Sequence, residues 1–293
     1  MRFVTDSIRF WVGEYHIDGL RFDAARQIDN FDALRSFVAT GRKAASMKPF
    51  FTVAEYIPPT PNVTEPAGPV ESCWNDLFMH TILDHLNSPA VYFEKIKEAL
   101  DPSLLGFAGS TSVTNYLANH DQDRLFRKLG EKGILDEELY RRAKLGVLIL
   151  MSSVGVPMIW MGEEFGENSP VSENSNKINW RLMESEKNRD LFEYYRRLIE
   201  MRTHNAAFAT ANIEFFHEDQ ENSVLCFQRF DDRGNVAAVL LNLSDNDLEG
   251  YTVVGIPLNG PCSDVADGSR INIADGSWTG KLPRRSGIVL VSE

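Results

Sequence analysis

The stretch DGLRFDAARQ (18–27) sets Arg21 and Asp23 two residues apart in an otherwise apolar run. Charges taken out of water are costly unless they are paired or used. On a strand, alternation puts Arg21, Asp23 and Ala25 on one face, with Leu20, Phe22 and Ala24 on the other. A second acid, Glu55, closes the apolar run FFTVAE (50–55), and a third, Asp121, follows Asn119 and His120 at the end of SVTNYLANHD. One acid at a strand end is more often the N-cap of the next helix than a catalyst, and a lone His120 or Arg21–Asp23 pair reads as structural. Their coincidence at three predicted strand ends shifts the odds towards a catalytic set. Arg21 favours the ionised form of Asp23. Val53, Ala54, Tyr56 and Ile57 around Glu55 predict that desolvation raises its pKa.

These residues need elements to hold them. Residues 5–16 read as a helix capped by Thr5 or Asp6. LRFDAA reads as a strand, and a second helix starts at Asp29 or Asn30 and stops at Gly41. FFTVAE is a short buried strand, Pro58 to Pro69 a long loop, and ESCWND a further strand. LFMHTILDHL and AVYFEKIKEAL are helical, and SVTNYLANHD is a strand with a polar tip. A helix over 137–153, a strand VGVPMIWMG and a helix over 188–204 complete the series. Strands alternating with helices predict βα units and a parallel sheet, whose C-terminal strand ends are where α/β barrels place catalytic groups. After about residue 211 short strands and turns take over, predicting a small all-β domain. The expected division is 1–211 and 212–293.

The 293 residues carry a formal net charge of -12, which argues against nucleic acid as a partner. Cys73, Cys226 and Cys262 are odd in number and far apart, signalling neither a disulfide framework nor zinc. Asp6, Arg9 and Glu14 sit where an export signal needs an uncharged core, so a cytoplasmic protein is expected. Leu145 to Gly162 carries no charge, but Pro157 and two serines interrupt it. A helix feeding a buried strand explains it as well as a membrane span.

DGLRFDAA, FTVAEYI and YLANHDQ resemble the second, third and fourth signature regions of the alpha-amylase superfamily of glycoside hydrolases, in the family's order. MGEEFGE (161–167) matches the segment after that family's eighth strand. NHDQ, ESCWNDLFMH and MGEEFGE are most similar to the malto-oligosyltrehalose trehalohydrolase and 1,4-alpha-glucan branching enzyme arm. The resemblance implies strands four to eight of a (β/α)8 TIM-type barrel followed by an all-β sandwich. It has no counterpart for strands one to three or the first signature region, so Met1 is read as an internal methionine or the start of a truncated chain, and strand four is expected to expose an edge prone to self-association.

By the same resemblance Asp23 is the nucleophile of a retaining mechanism, Glu55 the general acid/base and Asp121 the transition-state stabiliser. Such a pair works from about 5 to 5.5 Å through a glycosyl intermediate. Arg21, Asn119, His120, Tyr56 and Trp74 are assigned to substrate, an alpha-linked glucan, with Trp160 and Trp180 as further rim aromatics. No cofactor, metal or membrane partner is expected. Two competing readings stand beside this one. The first is an inactive half-barrel that binds glucan or a partner chain. The second is a metal cluster of Asp18, Asp23, Glu55, His120 and Asp121, which Arg21 and the shortage of histidine disfavour.

Overall fold

The computed structural model describes residues 1–172 and 177–293. After helix α1 (Arg2–Tyr15), five short strands form one sheet: β1 (Gly19–Phe22), β2 (Phe51–Ala54), β3 (Ser72–Asn75), β4 (Val113–Tyr116) and β5 (Val156–Met158). Spatial order equals chain order and every pairing is parallel. Parallel neighbours require crossovers. α2 (Ala25–Ile28) and α3 (Phe31–Ala45) link β1 to β2, while α4 (Asp76–Asn87) and α5 (Phe93–Leu100) link β3 to β4. α6 (Leu125–Glu131) and α7 (Asp136–Ser152) link β4 to β5, and α8 (Glu186–His204) follows. The Pro-rich loop joins β2 to β3 through a short turn at Pro61–Val63. Among the described residues β1 and β5 each pair on one side only.

Several local expectations change in the structure. β1 stops at Phe22: Ala24 takes the left-handed conformation (φ 43°) and Ala25 opens α2, so Ala25 does not continue the Arg21 face. β4 ends at Tyr116, which leaves Asn119, His120 and Asp121 in the turn beyond it. The first helix starts at Arg2, with Met1 rather than Thr5 or Asp6 before it. Asn30 caps α3 as expected, accepting from the Ala33 N–H at 2.9 Å. Gly41 does not end that helix. A Cβ there would stand 2.5 Å from Phe50 Cε1, so the glycine lets α3 pack on the segment before β2. Leu145 to Gly162 divides between α7, β5 and the following turn, and among the described residues no helix is long and apolar enough to cross a membrane.

The remaining strands are β6 (Ile213–Asp219), β7 (Val224–Phe230), β8 (Val236–Asn242), β9 (Leu248–Val254), β10 (Gly260–Asp264), β11 (Arg270–Ile273), β12 (Ser277–Leu282) and β13 (Ser286–Ser292). Six form an antiparallel sheet in the order β11-β10-β13-β8-β7-β6, and β9 pairs with β12. The six-stranded sheet is a middle layer. Leu225, Phe227, Val239 and Leu241 pack with the helices, whereas Cys226, Ala238 and Leu240 face Val253 and Leu282 of the small sheet. Arg229 and Arg202 tie this region to the C-terminal end of α7. Arg229 donates to the carbonyls of Ser152 (2.7 Å), Thr210 (2.6 Å) and Asn212 (3.0 Å), and Arg202 to those of Ser153 (2.7 Å) and Gly155. Both fill the need of a helix end for donors and positive charge. Burial lowers their pKa values to about 9 and about 10.

Candidate active site

β1 and β2 are held in register with Arg21 opposite Val53. Beyond the strands the ladder continues: the Glu55 N–H donates to Phe22 O at 2.9 Å, and the Ala25 N–H to Glu55 O at 2.8 Å. The left-handed turn at Ala24 aims its N–H at the Glu55 side chain, 2.9 Å from Oε2. Arg21 then reaches both acids. Nη1 donates to Asp23 Oδ1 at 2.8 Å and Nη2 to Glu55 Oε2 at 2.6 Å. Its guanidinium lies 4.2 Å from the ring centroid of Trp74 on β3. The expected Arg21–Asp23 contact is present, and the bridge to Glu55 adds to it.

The surroundings of Glu55 differ from expectation. Its carboxyl meets a guanidinium and an amide N–H instead of an apolar enclosure, because alternation turns Ala54 into the helical layer and Tyr56 packs edge-on against Phe31, ring centroids 6.3 Å apart. Since Oε2 already accepts from two donors, a proton on Glu55 has to sit on Oε1. The Tyr56 ring makes its aromatic contact with Phe31. The Asp23 side chain is 77% exposed and that of Glu55 19%.

Asp121 joins through rings. Asn119 is buried, and its Oδ1 accepts the Asp121 N–H at 2.9 Å, shaping the turn. His120 Nε2 lies 3.4 Å from Asp121 Oδ2. The imidazole stands edge-on to Trp74 (5.8 Å) and tilted against Trp160 (6.2 Å). A continuous chain of contacts thus runs from Glu55 and Asp23 through Arg21, Trp74 and His120 to Asp121. Trp180 sits elsewhere, 68% exposed and tilted against Phe165, ring centroids 5.4 Å apart. Asp18 is drawn to Lys48 (2.6 Å), which removes it from the proposed metal cluster.

Two groups escaped the sequence reading. Tyr116 is fully buried beneath Trp74, ring centroids 5.4 Å apart. Burial and then the charge of Asp76 push its phenol up, a bond with Asn119 opposes, and Glu55 and Asp121 add to the rise. It stays a neutral hydroxyl among carboxylates. Asp76 opens α4 directly after β3. Burial raises its pKa against the pull of His80, and its Oδ1 is buried without a hydrogen-bond partner. The alternation of Thr114 and Tyr116 was readable in the sequence; which acids would surround the phenol was not.

The sequence family described as "Alpha amylase, catalytic domain" matches residues 2–221. The chain belongs to the alpha-amylase family. Neopullulanase 2 of Thermoactinomyces vulgaris is 26% identical over 82% of this chain and 39% of its own length. The 1,4-alpha-glucan branching enzyme GlgB of Butyrivibrio fibrisolvens is 24% identical over 92% of this chain and 47% of its own. Among solved structures, a pullulanase from Anoxybacillus sp. complexed with maltotriose superposes with a TM-score of 0.79 at 20% identity, covering 100% of this chain and 45% of that one. That likeness shows the fold. This alpha-amylase family chain spans less than half the length of these three relatives.

Proposed function

We propose that this chain carries a retaining glycoside hydrolase or transglycosylase site for alpha-linked glucans. Asp23 attacks the anomeric carbon, Glu55 protonates the leaving oxygen from Oε1 and later deprotonates water or an acceptor hydroxyl, and Asp121 stabilises the developing positive charge. His120 belongs to the sugar-binding wall, with the buried Trp74 and Asn119 supporting it and the Asp121 turn from behind. The observation that carries this reading is the single guanidinium of Arg21 bonded to both Asp23 and Glu55, at 2.8 and 2.6 Å, at the C-terminal ends of parallel strands. We read β1 to β5 as strands four to eight of a (β/α)8 barrel, with 1–211 as the barrel portion and 212–293 as the β domain. The names neopullulanase and glucan branching enzyme, and the maltotriose in the pullulanase, support a glucan as substrate.

A second reading, an inactive half-barrel that binds glucan or a partner chain, is favoured by the exposure of Asp23 and by the edges of β1 and β5 that pair with no strand among the described residues. Turnover of a maltooligosaccharide, run beside size-exclusion chromatography, separates the two. Sugar release lost in Asp23→Asn and in Glu55→Gln supports catalysis. Glucan binding or self-association without release in the parent chain supports the second reading.

A further inference from the structure

Glu163, in the run MGEEFGE, lies on the turn that follows β5 and carries Trp160. It is buried. Oε2 accepts the Trp160 N–H at 2.9 Å, while Oε1 is buried without a hydrogen-bond partner, as is Trp160 Nε1. The charged and titratable groups around it come from three elements. From the start of α6, Arg124 has its Nε taken up by Met161 O at 2.9 Å and its Cζ 5.7 Å from the Trp160 ring. Burial lowers the pKa of Lys128, also on α6, with Glu163 and then Asp123 opposing. On α8 the Tyr195 phenol faces Glu163, and on the turn itself Glu164 accepts the Gly162 N–H at 2.8 Å. Among the described residues no cation makes an ion pair with Glu163. Burial pushes its carboxyl up to about 7, against the bonded N–H of Trp160, the nearby but unbonded N–H of Leu125 and the charge of Arg124, with Glu164 adding to the rise.

An ionised carboxylate buried here without an ion pair is costly; the neutral acid, even with its Oε1 hydroxyl unpaired, costs less. The turn it braces is the one that presses Trp160 against His120, and His120 contacts Asp121. We propose that Glu163 is a positioning residue that works with a proton on Oε1: the neutral carboxyl locks the Trp160–Gly162 turn, and loss of the proton lets Trp160 shift away from His120. Glu163 touches none of the three carboxylates, so it acts through Trp160. The consequence for turnover rests on the glucan reading above; the shift of Trp160 does not.

The test follows the Trp160 indole N–H by NMR, assigned with Trp160→Phe and read in a His120→Asn background so that the imidazole does not titrate. The resonance should move with a midpoint near pH ~7. Glu163→Gln, the shape of the neutral acid, should hold it at its low-pH position throughout. A resonance that stays fixed from acid to alkaline pH in the protein with Glu163 overturns the proposal, and so does an unchanged step in Glu163→Gln. With His120 intact, maltooligosaccharide turnover should fall about tenfold per pH unit above the midpoint, and Glu163→Gln should remove that fall. Turnover that ignores the Trp160 step also overturns it. A Trp160 step abolished by Glu163→Gln in a chain that releases no sugar at any pH supports the positioning role and overturns the glucan reading instead.

Discussion

Arg21 holds two carboxylates, and the structure predicts that the two contacts differ in strength. The Asp23 side chain is 77% exposed, so its bond to Arg21 is largely screened by water, and such pairs contribute about 0.2–1 kcal/mol. Glu55 is 19% exposed and Arg21 29%, and their 2.6 Å contact is a charge-assisted hydrogen bond whose acceptor is far less exposed than Asp23. Bonds to charged groups of that kind contribute about 1.5–3 kcal/mol. Double-mutant cycles read by urea unfolding isolate each term: Arg21→Met with Glu55→Ala, and Arg21→Met with Asp23→Ala. The loss of the Arg21–Trp74 contact cancels in both cycles, and that of the Ala24 N–H partner in the Glu55 cycle. The expected coupling to Glu55 exceeds that to Asp23 by about 1 kcal/mol or more. Equal couplings, or a larger one to Asp23, would refute the idea that Arg21 chiefly anchors Glu55.

Other outcomes follow from burial and packing. Asp264 is buried, accepts the N–H groups of Ala266 (2.9 Å) and Val289 (3.0 Å), and has its pKa raised by burial from 3.8 to about 6. The folded state therefore holds this proton more tightly than the unfolded chain, and stability falls as pH rises from about 4 to about 6. Asp264→Asn can accept both N–H groups, so it should add up to about 3 kcal/mol at pH 7 and nothing at pH ~3, measured by thermal unfolding; an equal gain at both values would contradict this. Arg229→Met leaves the buried carbonyl of Ser152 and the part-buried carbonyls of Thr210 and Asn212 without this donor and should cost about 3 kcal/mol, with a loss under about 1 kcal/mol in urea unfolding counting against the clamp. Gly41→Ala should destabilise by about 1–3 kcal/mol because its Cβ meets Phe50, although alanine is the better helix former. A more stable variant would mean that Phe50 moves aside at little cost.

What could be read from the sequence was local. Alternation and the acids at strand ends single out Arg21, Asp23, Glu55 and Asp121 within short runs, and the structure joins them in one chain of contacts. The change of texture near residue 211 likewise precedes the first antiparallel strand, β6. What escaped was set by packing between distant segments. The bond from Arg21 to Glu55 crosses 34 residues, and no pattern within either run announces it. Tyr56 adjoins Glu55 in sequence but turns to Phe31, since successive residues leave a strand on opposite sides. Gly41 carries the signal of a helix stop, and only the position of Phe50 shows that the missing side chain serves close approach. Glu163 and Asp76 look like ordinary acids until α6 and α8, or α4 and β4, close over them.

The most direct test of the account is to identify the carboxylate that bonds to sugar. A fluorinated glucosyl fluoride forms the glycosyl ester of a retaining enzyme faster than water removes it, and peptide mass spectrometry then locates the ester. The account predicts one glucosyl adduct on the peptide containing Asp23, absent in Asp23→Asn. An adduct on Glu55 or Asp121, or sugar release with inverted anomeric configuration and no adduct, would contradict it.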